Sequence, residues 1–174
     1  MDSFIASEFA KQMSTFYLPR YEELPGMGLY MEQIIIYLDD ILTPLFGEKG
    51  EAFATPSMIS NYIKYGVISR PVKKKYSREH MAYLIFIFTV KQSLSISDIR
   101  RLLEVQKATY PLDISYNYFC TELENILKTI FEESGPMKST ATKETEETKI
   151  TRMAVATVAH KVYLNKYMEY IKSK

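Results

Sequence analysis

The sequence predicts a mainly α-helical fold, on three observations. Glycine and proline, the residues that most often interrupt regular structure, number only 6 and 7 in 174 residues. Apolar residues recur at helical spacing through most of the chain. One stretch, Arg78 to Gln92, is apolar on nearly every side, which suits a helix at the centre of a fold. The length allows one well-buried core with helical additions.

Residues 3–17 carry Phe4, Ile5, Phe9, Met13 and Phe16 at helical spacing, giving a short amphipathic helix. The connector 18–28 holds two prolines and two glycines and reads as irregular. Leu29 to Leu42 forms a second helix, with Ile34, Ile35, Leu38, Ile41 and Leu42 opposite Asp39 and Asp40. Pro44, Gly47 and Gly50 are expected to end it and leave 43–54 as a loop. Thr55 and Pro56 open a third helix as N-cap and preorganised first residue, and Gly66 closes it. Met58, Ile59, Tyr62 and Ile63 fall on one face of that helix; Ser57, Ser60, Asn61 and Lys64 fall on the other.

Val67 to Tyr76 has no helical period. Val67, Ile68 and Val72 around Pro71 suit two short extended pieces joined by a tight turn. Ser77 caps the apolar fourth helix, with Glu79 in its first turn, and Ser95 with Asp98 caps a fifth through Leu102, Leu103 and Val105. After Pro111, residues 112–133 form a sixth helix with Phe119, Leu123, Ile126, Leu127, Ile130 and Phe131 inward. Residues 134–149 are polar and read as a mobile loop passing into helix. In the last helix, Ile150 to Ile171, Val155, Val158, Ala159, Val162, Tyr163 and Tyr167 fit a 3.6 period, the pattern of a bundle helix rather than a long coiled coil.

Several function classes fall away on residue content. The single Cys120 lies in an apolar stretch and reads as a buried small hydrophobe; it excludes an intrachain disulfide and any multi-cysteine metal site. His80 and His160 lack a neighbouring ligand set, so no metal is expected. Asp39 and Asp40 point apart on a helix and have no nucleophile beside them. No phosphate-cradling glycine loop occurs. The expectation is a non-enzyme without catalytic residues or cofactor. The longest apolar run, Met81 to Val90, is about half a membrane span, and no cationic segment leads an apolar one at the start. A cytoplasmic protein with no membrane partner is expected.

The charge is unevenly placed. The chain carries a net +1, yet Lys64, Arg70, Lys73, Lys74, Lys75 and Arg78 crowd into 64–80 against Glu79 alone. A near-neutral protein with one concentrated basic strip presents a local positive field. The order of features across 57–104 fits DNA. A short capped helix offers Ser57, Ser60, Asn61 and Lys64, and an Asn amide can present donor and acceptor together to an adenine edge. A basic turn with Arg70, Lys73, Lys74 and Lys75, followed by Arg78, can hold the flanking phosphates. The buried helix from 78 fixes both.

This stretch resembles the DNA-binding half of the MerR family of bacterial regulators. The matching residues are Tyr62, Gly66-Val67-Ile68, a wing ending in Tyr76-Ser77-Arg78-Glu79-His80, the helix through Ile87, and SISDIRRLLE. With 18–34 upstream, it resembles still more closely the bacterial domain-of-unknown-function 1836 family, which has a helix-turn-helix-like character and no assigned biochemical role. The resemblance implies a winged helix-turn-helix core at 54–106 with a short wing. Around it stand N-terminal helices over 1–53 and a C-terminal helical region, 107–174, for dimerisation or effector binding. The expected function is a DNA-binding bacterial transcriptional regulator reading double-stranded DNA with helix 56–65 and wing 69–76, as a homodimer, its effector unidentified. The competing expectation is a non-catalytic protein-interaction module on the same fold, with a small-ligand sensor as a third reading.

Overall fold

The structure, a computed structural model, describes residues 3–47 and 53–174. Among the described residues it is mainly α-helical. Seven α-helices follow in order: α1 Glu8–Ser14, α2 Met31–Phe46, α3 Pro56–Lys64, α4 Arg78–Val90, α5 Ile96–Thr109, α6 Leu112–Glu132 and α7 Glu146–Lys172. Short 3₁₀ turns stand at Phe4–Ala6 and Tyr21–Glu23. Two isolated antiparallel bridges, Leu29 with Tyr76 and Val72 with Lys75, are the β pairing among the described residues, and no strand forms there. Two compact units result, Pro19–Asn117 and the pair of segments 1–18 and 118–174. The connector and α2 thus group with the 54–106 segment, and α1 groups with α7.

In the unit Pro19–Asn117, α4 is the central element. Ten of its residues are buried, from His80 to Val90, because apolar side chains surround the whole helix. Helix α2 packs on α3 and α4, burying Ile34, Leu38, Leu42 and Leu45. Helix α5 adds Ile99, Leu102 and Leu103. Tyr62 of α3 meets Phe88 of α4 edge-to-face at 5.6 Å. The second helix does not stop before Pro44, as proline chemistry suggests, but runs on to Phe46. So near the end of a helix, proline removes only one late hydrogen bond, and burial of Leu45 holds the last turn. The expected loop over 43–54 therefore begins only at Gly47, and its stretch 48–52, with Gly50, lies outside the described residues.

In the other unit, the expected first helix divides into the 3₁₀ turn and α1, because Ser7 turns extended and caps α1 by accepting from the Ala10 N–H. Phe4 then lies at the hub of an aromatic cluster, with Phe131, Tyr163, Tyr167 and Tyr170 rings 5.1 to 6.0 Å away. Helix α7 starts at Glu146 rather than Ile150, capped by Thr145. The polar stretch before it is tied down. The Thr140 N–H donates to the buried Glu122 carboxylate at 2.8 Å, and the Asn125 amide donates to the Lys138 carbonyl at 2.9 Å. Arg152 donates to the Met137 carbonyl and its Nε lies 2.8 Å from Glu122. A segment read as mobile from its polarity is thus tied at Met137, Lys138 and Thr140 by side chains of α6 and α7. Cys120 is buried, as expected.

Candidate nucleic-acid interface

Helix α3 begins and ends on motifs written in its sequence. Thr55 Oγ1 accepts from the Met58 N–H, and Pro56 occupies the first turn. At the other end Gly66 adopts φ +67, the Gly66 N–H donates to the Ile63 carbonyl and the Val67 N–H to the Tyr62 carbonyl. That is a Schellman closure, and it needs the left-handed glycine. Nothing lies within 4 Å of an added Cβ there, so the constraint at Gly66 is backbone conformation alone. Ile59 and Tyr62 are buried, Met58 and Ile63 half-buried, and Ser57, Ser60, Asn61 and Lys64 exposed.

Val67 and Ile68 are buried and lead the chain out from α3 to the basic turn. There the Lys75 N–H donates to the Val72 carbonyl at 2.9 Å across a two-residue turn. Both central residues, Lys73 at φ 49 and Lys74 at φ 63, are left-handed, which defines a type I′ hairpin. Asn-Gly is the favoured pair for such a turn, because a Cβ at positive φ raises the energy by about 1–2 kcal/mol per residue. Lysine at both places is therefore strained. Both side chains are exposed, as is that of Arg70, and no ion pair engages any of the three among the described residues.

The base of the hairpin is anchored in two ways. Leu29 and Tyr76 exchange backbone hydrogen bonds of 2.9 and 2.8 Å, which fasten the turn to the segment entering α2. Gly28 permits that approach, since a Cβ there would meet Lys75 Cβ at 2.9 Å. The second anchor is His80, buried in the first turn of α4. Its Nδ1 accepts from the Ser77 N–H at 3.0 Å, so the proton belongs on Nε2, which faces the Ser69 carbonyl at 3.2 Å and the Ser69 hydroxyl at 3.0 Å. One imidazole thus joins both ends of the 69–77 segment. Tyr76 stands edge-on to it at 5.5 Å.

The structure treats the candidate residues unequally. Ser57, Ser60, Asn61, Lys64, Arg70, Lys73, Lys74 and Lys75 are exposed, although Lys75 Nζ lies 5.4 Å over the Tyr30 ring. Arg78 is turned to its own chain: Nε donates to the Leu24 carbonyl at 3.1 Å and the guanidinium lies 5.7 Å from the Tyr21 ring. It braces the connector rather than facing solvent freely. Sequence reasoning missed the structural part of His80, whose signal was the S-x-x-H spacing at a helix start. It also missed a groove of about 490 Å³ at the end of α3, lined by Tyr65, Ile96, Ser97, Arg100, Arg101 and Glu104. Its Arg100 pairs with Glu104 at 3.0 Å on an exposed helix surface, an interaction weak enough to exchange.

Burial raises the phenol pKa of Tyr62 and of Tyr76 above the ordinary value, which fits packing residues rather than exposed stacking ones. Burial also lowers the Lys91 ammonium, which sits 4.5 Å from the Phe88 ring. No group of His, Cys, Asp and Glu among the described residues could hold a metal ion, and no described helix is long and apolar enough to cross a membrane.

The chain belongs to the family described as Domain of unknown function (DUF1836), whose profile matches residues 19–119. No curated protein and no solved structure is significantly similar to it.

Proposed function

We propose that this DUF1836 protein binds double-stranded DNA and regulates transcription. In this reading α2 and α3 act as a helix-turn-helix, with α3 as the recognition helix and the 69–76 hairpin as a shortened, MerR-like wing. The observation that carries it is the hairpin tip, where Lys73 and Lys74 are exposed, unpaired among the described residues and left-handed. Stability alone would favour asparagine and glycine at those positions, so strain retained in two adjacent cations argues for a use of their charge. Phosphate is the partner such charges suit, because neutralising a duplex backbone releases counterions.

Helix α3 supplies what a phosphate clamp lacks. Asn61 can pair bidentately with adenine, while Ser57, Ser60 and Lys64 reach phosphate or base edges. Changing Asn61→Ala is expected to lose about 1–3 kcal/mol of discrimination at one base position while leaving affinity for random duplex unchanged. The reading assigns no catalytic step.

Fluorescence anisotropy with a random-sequence duplex tests it directly. Binding at low ionic strength that weakens steeply as salt rises is the expected result. Absence of binding at low salt would overturn the DNA reading and favour a protein-interaction module that docks the basic strip on an acidic partner.

A further inference from the structure

Helix α7 has two apolar faces. Thr151, Ala154, Val155, Val158, Ala159 and Val162 are buried along one. On the nearly opposite side Ile150, Met153, Leu164, Met168 and Ile171 remain 48, 59, 63, 53 and 49% exposed, and Thr157 is exposed among them. At about 100° per residue these six positions fall within an arc of about 60°. A stripe so narrow and apolar along some 32 Å of helix is not what solvent selects.

We infer that this stripe is the interface with a second copy of the chain, paired antiparallel about a two-fold axis between His160 and Lys161. The spacing carries the argument. From Ile150 to Ile171 the steps are 3, 4, 7, 4 and 3 residues, the same in both directions. An antiparallel copy therefore sets Ile150 against Ile171 and Met153 against Met168, apolar on apolar, and Leu164 against Thr157, whose hydroxyl is already bonded to the Met153 carbonyl at 2.8 Å. Such a self-complementary surface is what an isologous two-fold contact requires. The steps of three and four are also those of a helix–helix seam.

Charge selects the direction. Around its start Glu144, Glu146 and Glu147 outnumber Lys143 and Lys149, the latter paired with Glu146 at 3.2 Å, and at its end Lys166, Lys172 and Lys174 outnumber Glu169, so the start is net acidic and the end net basic. Antiparallel pairing lays the acidic start of each helix over the basic end of the other and opposes the two helix dipoles. Parallel pairing would place acid on acid and base on base. The inference does not depend on DNA binding.

Sedimentation velocity on the full chain over a concentration series tests it. The protein is expected to dimerise, and Met153→Glu with Leu164→Glu to weaken association by roughly thirtyfold or more. Both side chains are exposed, so circular dichroism and the melting temperature of the dilute monomer should stay unchanged. Lys172→Glu with Lys174→Glu should also weaken the dimer, and adding Glu146→Lys and Glu147→Lys should restore it. For direction, chains carrying Met153→Cys are mixed with chains carrying Met168→Cys and oxidised. The heterodisulfide is expected; a predominant disulfide between two Met153→Cys chains would overturn the antiparallel pairing. A parent chain that stays monomeric, or a dimer untouched by the two glutamates, would overturn the interface itself.

Discussion

At Glu122 and Arg152 two opposite charges meet at 2.8 Å with the carboxylate fully buried, while at Lys73 and Lys74 two like charges stand side by side in solvent on strained backbone. The first arrangement makes sense within the unit that contains it: the carboxylate collects Thr140 and Arg152, and through them the connector before α7. The second has no such internal account. The hairpin is already fastened at its base by Leu29 and His80, and its tip residues are exposed. A buried charge is expensive and is retained only where its partners satisfy it. An exposed cation with no ion pair among the described residues contributes little to folding, and its reason is better sought in what it meets outside.

The largest test of this contrast is Glu122→Ala. Leaving Arg152 without its carboxylate and Thr140 without its acceptor should destabilise the protein by about 3–5 kcal/mol in urea unfolding. A loss below about 1 kcal/mol would show that the connector is held by something other than this carboxylate. The next is His80→Ala, which removes the link between Ser69 and Ser77 and should lose about 1–3 kcal/mol by the same assay. Duplex affinity should fall as well, since the hairpin would no longer be held at both ends; retained affinity would separate the anchor from the binding surface.

Replacing the tip, Lys73→Asn with Lys74→Gly, sharpens the comparison most. Stability should rise by about 1–2 kcal/mol because the left-handed turn loses its strain. The slope of log affinity for duplex against log salt should become shallower by about 2. An unchanged slope would remove the tip from the interface, whatever happened to stability. The smallest effect is at high pH. Burial raises the phenol pKa of Tyr62, Tyr76 and Tyr83 above 10.0, so the folded chain keeps protons that the unfolded chain releases. Their contribution is fully present below pH 10.0 and is lost as the pH rises past it. Lys91, lowered by burial, acts in the opposite sense over the alkaline range and offsets part of the loss. Stability that rises steadily above pH 10.0 would contradict the burial of those phenols.

Most elements were legible because their signals are local. The Thr55-Pro56 start and Gly66 end of α3, the caps Ser77 and Ser95, and the all-round apolar character of α4 act over one or two helical turns. The two-sided composition of α3 gave its exposed residues by period alone. Where the reading failed, a distant contact decided. Pro44 stays helical because Leu42 and Leu45 are buried on the other side of the turn. The stretch 134–145 is held by Glu122, Asn125 and Arg152, each more than ten residues from its partner there, and no composition rule anticipates that.

The last helix shows the boundary between the two kinds of information. Its 3.6-residue period fixed that it would be a helix and that Val155, Val158, Ala159 and Val162 would turn inward, because periodicity is a property of the chain alone; of the two tyrosines on the same period, Tyr163 is only half-buried and Tyr167 is exposed. Ile150, Leu164 and Ile171 look equally apolar in the sequence, and only tertiary packing left them in solvent. The same holds for the charges: the sequence determined that cations crowd into 64–80, but the fold alone gave Arg78 to Leu24 and left Lys73 and Lys74 exposed, with no ion pair among the described residues. Burial and pairing are properties of what lies opposite, and what lies opposite is set by the packed chain rather than by neighbours in sequence.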